Sequence, residues 1–398
     1  MHILYLTAEE WPTFRADVTT LFGKYLPRFG ITCDLVTEQI NNKQMDWPAG
    51  KAILCKVPTH RAGQYIVKFL HQCKVLITSD YSNYQAIQVR DMTLIALVAL
   101  VMCKLRKRPF YYWLSYPQSE GQMHRARIRG VKAGMRYWFP LLQGWVGQQL
   151  LYKIILPNAH HIFVQSQNML QVLSQKGVPI SKMTPVVMGV DLEAIQQAPV
   201  PSEHPFLNGR RVLVYLGTLD SVRQIEILFE MLRLVLKQIP NAVLVLAGDT
   251  DAEHRAWLKQ QAEKIGVAEQ ILWTGWLPIA EAWRFVAAAE IGISPFPRGY
   301  LLDMASPTKA IEYMALGIPV LMNDNPDQLS VAQESGANAC VPLDATLFAD
   351  AAIRLMSDPA LKASMRGKGI AYVNQVRSYQ HIASVLSAQY FHLQNNKV

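Results

Sequence analysis

Short, almost wholly apolar runs alternate along this chain with longer helix-like segments, which is the pattern of a parallel β-sheet covered by helices. In the first half the predicted strands are 3–8, 32–37, 51–57, 75–79, 110–116 and 161–165. In the second half they are 212–217, 242–247, 271–274, 291–294, 319–322 and 339–342. Between the two sets, residues 196–210 hold Pro199, Pro201 and Pro205, with Pro185 upstream and the Asn208-Gly209 pair at the end. Clustered prolines with Asn-Gly mark a linker. The pattern therefore predicts an α/β protein of two Rossmann-like domains, 1–200 and 201–377. Residues 378–398 form a terminal helix that packs back on one of the halves, the N-terminal domain being the assignment taken. No internal repeat or low-complexity tract interrupts this plan.

The totals agree with it. A chain of 398 residues suits two cores, and 51% apolar with 17% charged residues excludes bulk disorder. Cys33, Cys55, Cys73, Cys103 and Cys340 are odd in number and form no Cys-x-x-Cys pair, so neither a disulfide framework nor a zinc site is indicated. Reduced, cytoplasmic residence follows, as does the absence of a signal peptide, because Met1 to Thr7 runs directly into an expected core strand. The apolar run 92–103 falls short of the roughly 20 residues that a membrane span needs.

Charge changes the picture more. Between Val101 and His160 stand Lys104, Arg106, Lys107, Arg108, Arg125, Arg127, Arg129, Lys132, Arg136 and Lys153 against Glu120 alone. Ten minus one gives +9, the formal net charge of the whole molecule. Such a field favours an anionic partner.

The stretch richest in chemistry is Ser306-Pro307-Thr308-Lys309-Ala-Ile-Glu312, closed by Gly317 and Pro319. Ser306 reads as an N-cap, Pro307 as the first helical residue, Gly317 as the terminator. Free N–H groups at such a start seat a diphosphate. Lys309 in the first turn is a charge that a helix N-terminus disfavours, so an anion is expected beside it. Glu312, one turn on, is placed to accept from ribose hydroxyls.

This run resembles the donor-site signature of the family-4 class (glycosyl transferases group 1) of retaining GT-B glycosyltransferases. The resemblance implies two Rossmann-like domains with parallel sheets facing across a cleft. It also implies a nucleotide-sugar bound by the second domain and an acceptor held by the first. In the family's Glu-x(7)-Glu pattern the second acidic residue, which holds the ribose, falls on Glu312. The first, which contacts the transferred sugar, falls on Met304, a departure; Asp303 stands one residue away. Val214-Tyr-Leu-Gly217-Thr218 resembles the first strand and turn of the donor domain, where Gly217 admits the phosphates and Thr218 replaces the usual Arg. Arg223 lies near the usual Lys and suits a diphosphate bidentately, with a surface Arg opposite Glu226 as the other reading. Gly275, Trp276 and Leu277 resemble the loop that reads the base; Trp276 either stacks beside the base or fills the core. Asn168-Met169 and Met188-Gly-Val-Asp191 resemble the segment that ends the acceptor domain.

On the acceptor side the family's Gly-Gly loop is replaced by Glu9-Glu-Trp-Pro-Thr-Phe-Arg15-Ala-Asp17, where Arg15 either substitutes electrostatically or is a surface residue. The family's acceptor-domain His has Ser115, Tyr116 and His124 as candidate replacements. His160 and His161 begin a core strand. Arg125, Arg127, Arg129, Lys132 and Arg136 precede the aromatic run from Tyr137, a combination that suits an anionic membrane surface or, alternatively, a domain face with buried aromatics.

The activity implied is retaining hexosyl transfer from a UDP- or GDP-sugar to a glycan or lipid-linked acceptor, in polysaccharide or glycolipid synthesis, at the cytoplasmic face of a membrane. Helix dipole, Lys309 and Arg223 stabilise the leaving diphosphate, so no cofactor or metal is called for; Asp249-Thr-Asp251 only mimics a metal-binding Asp-x-Asp. A dehydrogenase is disfavoured because no Gly-x-Gly-x-x-Gly follows an early strand, and nucleic-acid binding because no recognised module accompanies the basic stretch. The rivals are a catalytically weak GT-B-like scaffold that binds a partner or membrane, and a sugar-nucleotide epimerase.

Overall fold

The computed structural model describes residues 1–39, 45–58, 60–196 and 200–396. The chain divides into two compact units, Met1–Val187 with Tyr379–Val398, and Met188–Ser378. The division therefore falls before the proline-rich segment, whose Pro199 lies outside the described residues. The reason is local. Met188 N donates to Ser306 Oγ (3.0 Å) and Val190 N to Arg377 O (2.9 Å), so residues from 188 onward are already bonded into the second unit.

The first unit is a seven-stranded sheet of β1 (His2–Leu6), β2 (Thr32–Glu38), β3 (Ala52–Cys55), β4 (Ala86–Arg90), β5 (Phe110–Leu114), β6 (His161–Val164) and β7 (Met183–Pro185). Its order is β3-β2-β1-β4-β5-β6-β7, and every pairing is parallel. Two segments differ from the sequence reading. Residues 75–79 are not a strand; they end the helix Arg61–Thr78. The fourth strand is instead Ala86–Arg90, whose Gln88 and Arg90 are buried polar residues and break the apolar run that marks a strand. The helix Tyr379–Asn395 belongs to this unit: Tyr379, Ile382, Leu386 and Tyr390 join Tyr5, Phe22, Trp113 and Phe163 in one core.

The second unit is a six-stranded parallel sheet of β8 (Arg211–Leu216), β9 (Ala242–Ala247), β10 (Ile271–Trp273), β11 (Ile291–Ser294), β12 (Val320–Asn323) and β13 (Asn338–Val341), in the order β10-β9-β8-β11-β12-β13. Alternation along β8 feeds two cores. Leu213 and Tyr215 face one helical layer, Val212, Val214 and Leu216 the other. In each unit the strand order reverses beside its first strand, between β1 and β4 and between β8 and β11, and crevices at the carboxyl ends of such sheets are where open α/β folds bind ligands.

Candidate functional site

The carboxyl end of β8 opens on Gly217, held at φ +127°, a conformation that L side chains rarely adopt. A Cβ there would stand 2.6 Å from Cε of Lys309, so the missing side chain is what lets that lysine lie along the strand end. The Lys309 ammonium sits 5.2 Å from the Tyr215 ring centre. The side chain is half-buried. Loss of water around the ammonium, with the Arg223 charge second, pushes its pKa down to about 7; the Glu312 and Asp220 carboxylates oppose the shift.

Arg223 ends the short turn Ser221–Arg223, with its guanidinium 4.5 Å from the Phe296 ring centre. Its Nη1 is buried and finds no hydrogen-bond partner among the described residues, and neither does Oε2 of Glu226, so the surface pairing of Arg223 with Glu226 is not what holds it. Thr218, directly after Gly217, uses its carbonyl to accept from the Tyr215 hydroxyl at 2.7 Å.

The segment at 306–308 departs from expectation. The helix runs only over Lys309–Ala315, with Thr308 at its N-cap position and no side-chain cap. Ser306 is not the cap: it is 7% exposed, accepts from Met188 N and donates to Asp327 Oδ2 at 2.9 Å. Arg377 Nη1 reaches the same hydroxyl at 3.3 Å and its Nη2 pairs with Asp327 at 2.9 Å. Pro307, also buried, is therefore not the first helical residue. Ser306 was more useful inside this buried ion-pair network than at the helix end. The other end follows the sequence reading. Gly317, at φ +73°, donates to Met314 O and Ile318 N to Tyr313 O, closing the helix in a Schellman arrangement.

Glu312 accepts from Trp283 Nε1 at 3.3 Å, and burial raises its pKa against the opposing bonds from Trp283 and Thr308 and the Lys309 charge. Met304 is 1% exposed, its side chain buried. Asp303 is engaged by Arg298 through two bonds of 2.9 and 3.1 Å, and Arg298 is also bonded to Asp324 O. After β10, Gly275 takes φ +70°; Trp276 is 64% exposed, which rules out the core reading for its indole; Leu277 packs partly into the core. Asp249 is chelated by Arg255 at 2.6 Å through both carboxylate oxygens, and Asp251 caps the helix Ala252–Ile265. A pocket of about 480 Å³ nearby is lined by Asp220, Ser221, Thr250, Asp251, Glu253, His254 and Trp257. Its three carboxylates, of Asp220, Asp251 and Glu253, make it a poor host for phosphate.

In the first unit the carboxyl ends of β1, β4 and β5 gather a cluster that the sequence reading missed. Arg90, 1% exposed, pairs with Asp17 at 2.7 Å and lies 3.6 Å from Asp91 and 3.8 Å from Glu9. Ser115 Oγ donates to Asp91 and accepts from Arg90 Nη2 at 3.1 Å; Ser115 N also donates to Asp91, at 2.8 Å. Burial raises the Asp91 pKa, opposed by Arg90 and the Ser115 bonds. Asp91 stands at φ +57°, a strained place for a residue with a side chain. Ser115 and Tyr116 thus belong to this cluster. Arg15 borders it, exposed, with Asp17 at 3.3 Å and Glu9 at 3.8 Å. His124 does not: it is exposed on the helix Gln118–Arg129. A strand ending in Arg90-Asp91 was the available signal, hidden because that strand was not recognised.

Residues 210–358 match the family model for glycosyl transferases group 1. No curated protein is similar enough in sequence to match. Among solved structures, Anabaena Alr3699/HepE in complex with UDP aligns with a TM-score of 0.69 at 14% identity, over 98% of this chain and 100% of that one. HepE is also solved with UDP-glucose. Sucrose-phosphate synthase from Thermosynechococcus elongatus aligns with a TM-score of 0.69 at 16% identity, covering 99% of each chain. WaaG, a glycosyltransferase involved in lipopolysaccharide biosynthesis, aligns with a TM-score of 0.67 at 10% identity, over 97% of this chain and 99% of that one. Likeness at such identities speaks for the fold, and the family match speaks for the second unit. The chain has the GT-B architecture of two Rossmann-like domains, and within it residues 210–358 resemble the glycosyl transferases group 1 family.

Proposed function

We propose that this protein is a retaining glycosyltransferase that binds a nucleoside diphosphate sugar in its second unit and transfers the sugar to a glycan or lipid-linked acceptor bound by its first. The observation that carries the reading is the pair of under-compensated cations at the end of β8: a half-buried Lys309 whose charge is disfavoured, and an Arg223 with an unpartnered Nη1. A diphosphate supplies the charge that both lack, and supplies most of it as the glycosidic bond breaks and negative charge grows on the leaving oxygen. In that reaction the bond from the anomeric carbon to the diphosphate breaks, the bond to the acceptor oxygen forms on the same face, and the acceptor proton passes to the leaving phosphate. Lys309 and Arg223 hold that phosphate; no step calls for a metal. Glu312 faces the ribose, and Gly275 to Leu277 the base, with the exposed Trp276 beside it. With Met304 buried, the carboxylate beside that position is Asp303, and its pairing with Arg298 suits it to holding the loop rather than the sugar. On the acceptor side, the Arg90–Asp91–Ser115 cluster fixes the end of the sheet where the attacking hydroxyl is bound.

The UDP and UDP-glucose of HepE make a UDP-sugar the first donor to test. Donor hydrolysis over a panel of UDP- and GDP-sugars, with UDP and GDP binding by calorimetry, is expected to show one base bound and turned over. Arg223→Ala is expected to weaken that binding by about 1.5–3 kcal/mol, the worth of hydrogen bonds to a charged group. Absence of both binding and turnover would instead establish the scaffold reading.

A further inference from the structure

The aromatic and basic stretch at 118–150 is a helical hairpin, and its outer face is left uncovered. The helix Gln118–Arg129 leads through the turn Val131–Ala133 into the helix Met135–Leu150. The two helices are knit by glycine: a Cβ on Gly144 would stand 2.6 Å from Met123 Cγ, and one on Gly147 2.6 Å from Ser119 Oγ. With its small residues turned to that seam, the second helix carries Met135, Trp138, Leu142 and Trp145 on the opposite side, each more than half exposed. Phe139 extends the stripe, and Ile128 (72%) and Val131 (59%) carry it around the tip. Burying aromatics inside a domain face was one reading of the sequence; the fold excludes it.

Around this apolar stripe Arg125, Arg127, Arg129, Lys132 and Arg136 are all exposed. The one carboxylate of the hairpin, Glu120, is buried and paired with Lys176 at 3.0 Å, so the outer face carries positive charge alone. No helix among the described residues is long and apolar enough to cross a membrane.

We propose that this hairpin docks the protein on an anionic phospholipid bilayer, with Trp138 and Trp145 at headgroup depth and the arginines on lipid phosphates. Charge complementarity selects this occupant. A second copy of the chain meeting the same face about a twofold axis would set like charges against each other. A bilayer with anionic lipid answers both features at once, taking apolar rings at its boundary and cations at its surface. The contiguous exposed apolar area is otherwise a cost that a folded protein avoids.

Flotation of the full chain tests this, using vesicles of phosphatidylcholine mixed with phosphatidylglycerol and vesicles of phosphatidylcholine alone. Binding is expected only to the mixed vesicles and to fall with added salt. Tryptophan emission is expected to shift to the blue and to be quenched by bromine-labelled acyl chains, a signal that Trp138→Phe with Trp145→Phe removes. Arg127→Gln with Arg129→Gln is expected to lower the partition constant about 25-fold, roughly fivefold per charge. All four positions are exposed, and an unchanged thermal transition confirms that the variants fold. Binding that ignores lipid charge, no binding, or a concentration-dependent dimer dissolved by the same substitutions would each overturn the proposal; the last would assign the face to a second copy. Sugar turnover is not measured here, so this result stands apart from that of the donor test.

Discussion

Lys309 holds its ammonium where burial and the neighbouring Arg223 both work against the charge, and this has two measurable consequences. The folded pKa of about 7 lies below the usual lysine value of 10.5, so the unfolded chain holds this proton across the interval between them. Stability contributed by this group therefore rises with pH from about 7 toward 10.5, and the full cost of the charge is borne below 7. A bound diphosphate reverses the preference and restores the proton. Binding of UDP is thus expected to take up protons above pH 7 and to weaken as pH rises, by at most about tenfold per unit. Calorimetry in buffers of different ionisation enthalpy measures the uptake; affinity flat from neutral pH upward would show that Lys309 does not meet the phosphates. Lys309→Met follows the same logic. It is expected to abolish UDP binding while leaving the melting temperature unchanged or higher, because removing a desolvated charge relieves the fold.

At the scale of elements, the junction of β8 with the helix Lys309–Ala315 is where sequence and structure bear most directly on each other. Gly217→Ala places a methyl group against the Lys309 stem at a φ of +127°, so both backbone strain and overlap oppose it. The expected loss is about 1–3 kcal/mol of stability with donor binding weakened further, checked by urea unfolding and UDP titration together. Unchanged binding in a destabilised variant would place the phosphates elsewhere. Gly217, Gly317 and the strands of the second unit were legible because uninterrupted apolar runs and chain-terminating glycines depend on local physics alone. The helix start was not. Ser306 obeys a local capping rule, but Asp327 and Arg377, both distant in sequence, claim its hydroxyl, and long-range pairing overrode the local preference. The segment 75–79 failed for a related reason: its β-branched residues suit a strand, and the helix from Arg61 simply continues through them. The Arg90–Asp91 cluster draws on four separate stretches, those of Glu9, Asp17, Arg90 and Ser115, and no spacing rule joins such residues in advance.

At the scale of the whole molecule, the chain leaves its first unit at Val187 and re-enters it at Tyr379, so that unit is completed only by its last helix. Tyr390 is the strongest tie: fully buried, 4.8 Å from Phe163 and 6.0 Å from Tyr111 between ring centres, with its hydroxyl donating to Gln88 of β4. Gln88 is a buried polar side chain in a central strand and depends on that bond, since its Nε2 already lacks a partner among the described residues. Tyr390→Ala therefore removes a large ring from a packed core and strips Gln88 of its remaining side-chain partner, for an expected cost of about 3–5 kcal/mol. The second unit is closed by its own buried pair, Arg377 with Asp327, and among the described residues it contributes none to the Tyr390 core. Calorimetry should accordingly show the transition of the first unit shifted down in Tyr390→Ala while the second keeps its own, with UDP binding retained below the first transition. Two transitions moving together by the same amount would mean that the units unfold as one, and the division at Val187 and Tyr379 would then describe packing without describing folding.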